Sequence, residues 1–128
     1  MADQEQNELT RRMISFRYAF EGWSYVLRTQ HNAWIHAAAT IAVVVLAFWL
    51  ELSRVEWSIL VLTIALVWLA EFANTALEAV IDLISTDYHP LAKTAKDVAA
   101  GAVLISACAA VIVGLIILGP PLWARIIG

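Results

Sequence analysis

Residues 98–118 form a run of 21 residues without a single charged side chain. As an α-helix rising ~1.5 Å per residue, this run is long enough to cross the hydrocarbon core of a bilayer, which is ~30 Å thick. It predicts a helix that spans a membrane rather than a helix in a soluble core. Pro120 and Pro121 follow directly and are expected to end it. This one feature predicts an integral membrane protein.

Two further stretches predict membrane helices. Residues 33–50 contain His36 as their only ionisable side chain. Residues 57–70 are uncharged but few, yet no helix breaker follows before Ser85, so this helix should continue out of the bilayer. We therefore predict an all-α membrane protein whose three transmembrane helices lie at about 33–50, 55–84 and 97–118.

The composition agrees with a membrane protein and argues against other classes. Hydrophobic residues make up 62% of the chain, charged residues 15%, and the mean hydropathy is +0.76. An apolar share of ~45–50% is usual for soluble domains. The net charge of −3 argues against a nucleic-acid partner, and the single Cys108 offers neither a disulfide nor a metal site.

The N-terminal segment predicts a helix that lies in the membrane interface. Residues 1–8 are polar and are expected to be disordered. Over residues 9–30, apolar side chains recur in steps of four and three, with the arginines mainly off that face. The apolar face consists of Leu9, Met13, Phe16, Phe20, Trp23 and Leu27. A helix this charged cannot span a bilayer and typically lies flat on it.

Basic residues near the ends of the spans predict the orientation. Only Arg54 and Arg125 flank one side of the membrane. The residues that flank the other side are Arg11, Arg12, Arg17, Arg28, Lys93 and Lys96. Because basic residues concentrate on the cytoplasmic side, we predict a multi-pass protein of the inner (cytoplasmic) membrane. Its N-terminus would be cytoplasmic and its C-terminus outside.

Five polar side chains follow directly behind the second apolar run. On a helix turning ~100° per residue they project within roughly 60° of one line. They are Glu71, Asn74, Thr75, Glu78 and Asp82. Ionisable groups at membrane depth are costly and are usually functional. The alternative interpretation is a set of hydrogen bonds between helices, or a solvated helix end.

The predicted topology brings this face to the membrane surface where the third membrane helix begins, with Lys93, Lys96 and Asp97. Phosphoryl transfer needs carboxylates that hold Mg²⁺, a lysine that offsets phosphate charge, and a carboxylate that takes the acceptor's proton. The sequence has no Walker motif, and its five glycines are scattered. Phosphate binding is therefore expected to fall to side chains and a metal ion.

Two consecutive motifs carry a family resemblance. The first is Glu71-Phe-Ala-Asn-Thr-Ala-Leu-Glu-Ala-Val-Ile-Asp82; the second is Asp87-Tyr-His-Pro-Leu-Ala-Lys-Thr-Ala-Lys-Asp97, followed by Ala99-Ala-Gly-Ala-Val-Leu104. They resemble the small prokaryotic diacylglycerol kinase family, which includes the undecaprenol kinases, and the resemblance extends from about Ser15 through the third span. It implies a single domain over residues 1–128 that forms a homotrimer in the lipid bilayer. It also implies Mg²⁺- and ATP-dependent phosphorylation of a membrane lipid hydroxyl.

The resemblance also implies roles for individual residues. Glu71 matches the general base, and together with Asn74 and Ala100 it would bind the lipid acceptor. Glu78 matches a metal-binding carboxylate. The residues that match nucleotide contacts are Arg11, Tyr18, Gln30, Glu78, Asp87, Tyr88, His89, Lys96 and Asp97.

Position 30 departs from the family pattern. The family has a second metal-binding glutamate where this chain has Gln30, and a neutral carbonyl is a weaker ligand for Mg²⁺ than a carboxylate. This departure keeps open an alternative function, that of a degenerate, non-catalytic membrane oligomer or scaffold. Residues 15–22 and 87–93 resemble the undecaprenol kinase branch more than the diacylglycerol kinase branch. Undecaprenol is thus the favoured acceptor, with diacylglycerol as the alternative.

Overall fold

The structure, a computed structural model, describes residues 2–85 and 87–128. All regular secondary structure in this described part of the chain is α-helical. The helices are α1 (Ala2–Thr29), α2 (His31–Trp49), α3 (Arg54–Ile84) and α4 (Pro90–Ile127). The last three are long and apolar enough to cross a membrane. The predicted all-α membrane fold is therefore confirmed. The predicted bounds 33–50 and 55–84 agree with α2 and α3 to within two residues, whereas α4 begins seven residues before the predicted span 97–118 and ends nine residues after it.

The described residues divide into two compact units, with the boundary between Trp34 and Ile35. The first unit contains α1, which begins at Ala2, so the predicted disordered tail is wrong for residues 2–8. The physical reason is that this segment contains neither proline nor glycine and includes good helix formers, so the helix can begin as early as Ala2. Met1 lies outside the described residues, and the interfacial position of α1 stays a prediction.

The apolar face of α1 is exposed within the described structure. Met13, Phe16 and Phe20 are exposed, as is Trp23, whereas Leu27 is half-buried. The side chain of Leu9 lies outside the described residues. An exposed apolar stripe on a charged helix is what an interfacial helix presents to lipid.

The second unit contains the remainder of α2 with α3 and α4, which pack against one another around a small apolar core. That core consists of Ala47, Leu50, Leu60, Ile117 and Leu118. Its members come from the end of α2, the residue directly after it, the start of α3 and the second half of α4. Within this unit α3 therefore runs antiparallel to α2, and α4 runs antiparallel to α3. The end of α3 that carries the acidic face lies at the opposite end from this core.

The short connection before α3 has residues suited to ending one helix and starting the next. Glu51 adopts φ 57°, the left-handed conformation that commonly follows the last residue of a helix. Ser53 caps α3: its Oγ accepts a hydrogen bond from the N–H of Glu56, whose carboxylate in turn accepts from the N–H of Ser53. This reciprocal capping box fixes the start of α3.

The expectation that Pro120 and Pro121 end the last helix is wrong, because α4 continues through both to Ile127. Each proline removes one N–H donor from the helix, but its fixed φ is compatible with helical backbone. Tertiary contacts support the continuation: Leu122 packs against the apolar core, and Arg125 donates to the carbonyl of Trp49 at 2.7 Å.

Candidate active site

Glu71 is the most deeply buried charged side chain of the described residues, with 1% of its surface exposed. It lies on α3, and its backbone carbonyl accepts a hydrogen bond from the hydroxyl of Thr75. Neither carboxylate oxygen has a hydrogen-bond partner among the described residues. A buried carboxylate without a donor is costly, so this position needs a reason other than stability.

His36 of α2 is an ionisable neighbour of that carboxylate. Its Nε2 lies 3.7 Å from Oε2 of Glu71, which is longer than a hydrogen bond. The imidazole ring stands edge-on to the indole of Trp68, with 6.4 Å between ring centres. The Nε1–H of Trp68 donates to the hydroxyl of Thr40 at 3.2 Å. Sequence reasoning gave His36 no role, although its position as the lone ionisable side chain of a span was a usable signal.

Asn74 and Glu78 continue the face one and two turns beyond Glu71. Asn74 is buried, and its amide nitrogen donates to Oε1 of the half-buried Glu78 at 3.1 Å. The described residues hold no group of three or more histidine, cysteine, aspartate or glutamate side chains placed to bind a metal ion. Mg²⁺ usually binds through one or two carboxylates and the phosphates of its substrate. Of these side chains, Glu78 is the one that the family resemblance assigns to a metal ion.

Two ion pairs occupy the start of α4. Lys96 donates to the carboxylate of Asp82 on α3, and Lys93 donates to the carboxylate of Asp97 one turn along its own helix. Asp82 is thus a partner of a predicted nucleotide ligand rather than only a solvated helix end. At a rise of ~1.5 Å per residue, Asp82 lies about 16 Å from Glu71 along α3. Glu71 therefore marks one end of the face, and Asp82 with its partner Lys96 marks the other.

The connection between α3 and α4 presents three more of the predicted nucleotide ligands. Asp87, Tyr88 and His89 are all exposed. His89 caps α4, because its Nδ1 accepts a hydrogen bond from the N–H of Leu91. A neutral ring that accepts at Nδ1 carries its proton on Nε2, which therefore is a donor. Thr86 of this connection lies outside the described residues.

The other predicted site residues are placed as follows. Ala100, a predicted substrate contact, lies exposed on α4. Arg11 and Tyr18 lie on α1 in the first unit and are both exposed. Gln30 also belongs to the first unit, where it separates α1 from α2 and is half-buried.

An apolar cavity of about 480 Å³ lies between residues 35–49 of α2 and the helices α3 and α4. Its wall includes the side chains of His36, Thr40 and Thr63, and the other lining residues are apolar or glycine. Both threonine hydroxyls already donate to backbone carbonyls of their own helices. His36 thus has two neighbours: it lines this cavity, and its Nε2 lies 3.7 Å from Oε2 of Glu71.

The sequence profile of the prokaryotic diacylglycerol kinase family matches residues 17–118 of this chain. The match includes both motifs and the whole of α2 and α3. It begins within α1, at Arg17, and ends within α4, at Leu118.

Individual relatives carry two kinds of name. The chain is 49% identical over 116 residues to a diacylglycerol kinase of Synechocystis sp.; the match covers 90% of this chain and 66% of that protein. It is 46% identical over 117 residues to the undecaprenol kinase of Bacillus subtilis, covering 91% of this chain and 95% of that protein. A diacylglycerol kinase of Escherichia coli K12 is 39% identical over 93 residues, covering 67% and 76% of the two chains.

Proposed function

Since this chain belongs to the prokaryotic diacylglycerol kinase family, we propose that it transfers the γ-phosphoryl group of ATP to the hydroxyl of a membrane lipid. Glu71 acts as the general base. The observation that carries this proposal is the buried Glu71 carboxylate, whose oxygens have no hydrogen-bond partner in the described structure. A carboxylate at the apolar end of the face, with oxygens that no described group already occupies, is placed to take the proton of an incoming hydroxyl.

The proposed phosphoryl transfer is a displacement at the γ-phosphorus of ATP. The lipid oxygen attacks the γ-phosphorus as its proton passes to Glu71, a new oxygen–phosphorus bond forms, and the bond to the β-phosphate oxygen breaks. ADP leaves and a lipid phosphate remains. Phosphoryl transfer depends mainly on positioning and on stabilising the charge of the transferred group. Lys96, held at the exposed end of the face by Asp82, supplies a positive charge for the phosphates.

Glu78 is the proposed ligand of the cation that accompanies ATP. The Asn74 amide, which donates to Oε1 of Glu78, orients that carboxylate. Bound Mg²⁺ neutralises charge on the phosphates. Gln30 takes the place of a second acidic ligand in the family and contributes at most a neutral carbonyl. The nucleotide contacts proposed for Arg11, Tyr18, Asp87, Tyr88, His89 and Asp97, and the lipid contact of Ala100, rest on the family pattern.

We propose undecaprenol as the first acceptor to test and diacylglycerol as the second. Identities of 49% and 46% to relatives named for the two lipids do not separate them. The preference rests on residues 15–22 and 87–93. Measuring both lipids side by side in the same vesicles, with radiolabelled ATP, decides between them.

The membrane placement and the assembly belong to the same proposal. The N-terminus and the active face lie on the cytoplasmic side, the C-terminus lies outside, and three copies form the functional unit in the cytoplasmic membrane. Exposed apolar side chains along α2, α3 and α4 supply surface for lipid and for neighbouring copies. Native mass spectrometry from detergent tests the trimer. An alkaline phosphatase fused to the C-terminus tests the orientation, because its disulfides form only outside the cytoplasm.

The test of the proposed function is phosphorylation by the purified protein in lipid vesicles. The wild-type protein should phosphorylate a lipid alcohol only when both ATP and Mg²⁺ are present. Glu71→Gln should lower kcat at least about 100-fold, because a positioned general base contributes about that much or more.

The matched control is Glu51→Gln, which changes an exposed glutamate in the connection between α2 and α3. This variant should keep kcat within about twofold of the wild type. Turnover of Glu71→Gln at the wild-type rate would exclude Glu71 as the base. Absence of lipid phosphorylation by the wild-type protein would refute the kinase proposal as a whole.

A further inference from the structure

We propose that His36 is a positioning residue for the base: it donates a hydrogen bond from Nε2 to the Glu71 carboxylate and aims that carboxylate at the lipid hydroxyl. The inference rests on the proposed role of Glu71. It assigns a function to a partly buried imidazole that the phosphoryl-transfer step leaves unused.

The two side chains lie on different helices and meet in a buried place. His36 Nε2 and Glu71 Oε2 are 3.7 Å apart, with 14% of the His36 side chain and 1% of the Glu71 side chain exposed. Nε2 and both carboxylate oxygens lack hydrogen-bond partners within the described structure. A donor and an acceptor that are both buried, unpartnered and within an ångström of hydrogen-bond distance form a pair that a small side-chain rotation completes.

The other polar side chains of the described cavity wall already donate elsewhere. The cavity wall that includes His36 is otherwise apolar except for Thr40 and Thr63. Thr40 donates to the carbonyl of His36, and Thr63 donates to the carbonyl of Ile59. Neither hydroxyl proton is therefore available to the carboxylate.

The imidazole is held in place by contacts that a positioning residue needs. The Trp68 indole stands against the ring and is itself tied to α2 by its hydrogen bond to Thr40. Trp68 lies one turn before Glu71 on α3. The register between α2 and α3 is thus fixed beside the carboxylate that His36 faces, and a base fixed in orientation reacts faster than one free to rotate.

The test compares substitutions of His36 that differ in the position of a donor. His36→Leu removes the donor and keeps an apolar side chain of moderate size. His36→Gln places an amide N–H close to the former Nε2, whereas His36→Asn is too short to do so. We expect kcat to fall by about 10- to 100-fold in His36→Leu and His36→Asn, as for other groups that orient an active-site ligand. His36→Gln should recover most of the loss, and the KM for ATP should stay within twofold throughout.

A second comparison asks whether His36 acts through Glu71. In the Glu71→Gln background, His36→Leu should change the residual rate by less than twofold, because the carboxylate that it orients is gone. His31→Leu, at an exposed histidine at the start of α2, is the control and should behave as the wild type. Elution as the wild-type oligomer and an unchanged helix content show that each variant is folded. If His36→Leu does not fold, the order of Gln above Asn still tests the proposal.

The outcomes separate this inference from the proposed function. Equal activity of His36→Gln and His36→Asn would overturn the positioning role, as would the same fold-loss from His36→Leu with and without Glu71. Normal turnover of Glu71→Gln, or no turnover of the wild type, would instead refute the proposed function, and the role of His36 would fall with it.

Discussion

The ion pair between Lys96 and Asp82 joins α4 to α3 and offers a way to separate a structural role of Lys96 from a catalytic one. The Lys96 side chain is 37% exposed and that of Asp82 is 65% exposed. Ion pairs this exposed contribute ~0.2–1 kcal/mol to the free energy of unfolding. Lys96→Gln and Asp82→Asn should therefore each lower that free energy by no more than about 1 kcal/mol.

The same small energy limits what Asp82 can do for catalysis. Asp82→Asn leaves the ammonium of Lys96 in place, so kcat and the KM for ATP should change by no more than about fivefold, the factor that corresponds to ~1 kcal/mol. On the proposed mechanism, Lys96→Gln removes the charge that meets the phosphates. The loss of one such group costs ~100-fold or more in kcat, so the two variants should be alike in stability and far apart in rate.

Both quantities are measurable on the same preparations. Transfer of radiolabelled phosphate to lipid in vesicles gives kcat and KM, and titration with sodium dodecyl sulfate in mixed micelles gives the free energy of unfolding. Glu21→Gln, which breaks the exposed Arg17–Glu21 pair on α1, is the control for losing a surface ion pair. Equal losses of kcat in Asp82→Asn and Lys96→Gln would refute the reasoning, because the ion pair itself would then explain the effect of Lys96.

Two further predictions concern the cation and the fold. Gln30→Glu adds a carboxylate where the family has one, and the Mg²⁺ concentration for half-maximal activity should fall by ~10-fold, since carboxylates bind this hard cation more strongly; an unchanged requirement would show that position 30 is not a ligand. Ser53→Ala removes the side-chain half of the α3 capping box and should lower the free energy of unfolding by ~1 kcal/mol while kcat stays at the wild-type value; a loss of activity with unchanged stability would contradict this account.

The helices could be predicted from the sequence because long uncharged runs have few other stable solutions in a membrane protein. The face of α3 could be predicted as well: the 3.6-residue period alone groups five polar side chains, of which Glu71, Asn74 and Thr75 are buried in the structure. Periodicity describes one helix at a time, and for α3 it identified which polar side chains share a face.

The contacts between helices could not be predicted in this way. His36 and Glu71 are 35 residues apart in the sequence, and their meeting depends on the register of α2 against α3, which a periodic pattern does not specify. The pairing of Lys96 with Asp82 has the same origin. The end of α4 was mispredicted for a related reason: local proline chemistry favoured a stop, whereas the packing of Leu122 and the bond from Arg125 to Trp49 support continued helix.

Burial changes steadily along the acidic face of α3, and this gradient matches the needs of a lipid kinase. Glu71 is buried, Glu78 is half-buried and Asp82 is exposed. A lipid hydroxyl approaches from the apolar side, so its base belongs at the buried end. The phosphates of a nucleotide and their cation approach from water, so the carboxylate and the lysine that meet them belong towards the exposed end. On the proposed mechanism, one helix crossing from lipid to water therefore places both reactants in line, and His36 from α2 orients the base at the buried end, where the described residues offer its carboxylate no hydrogen bond.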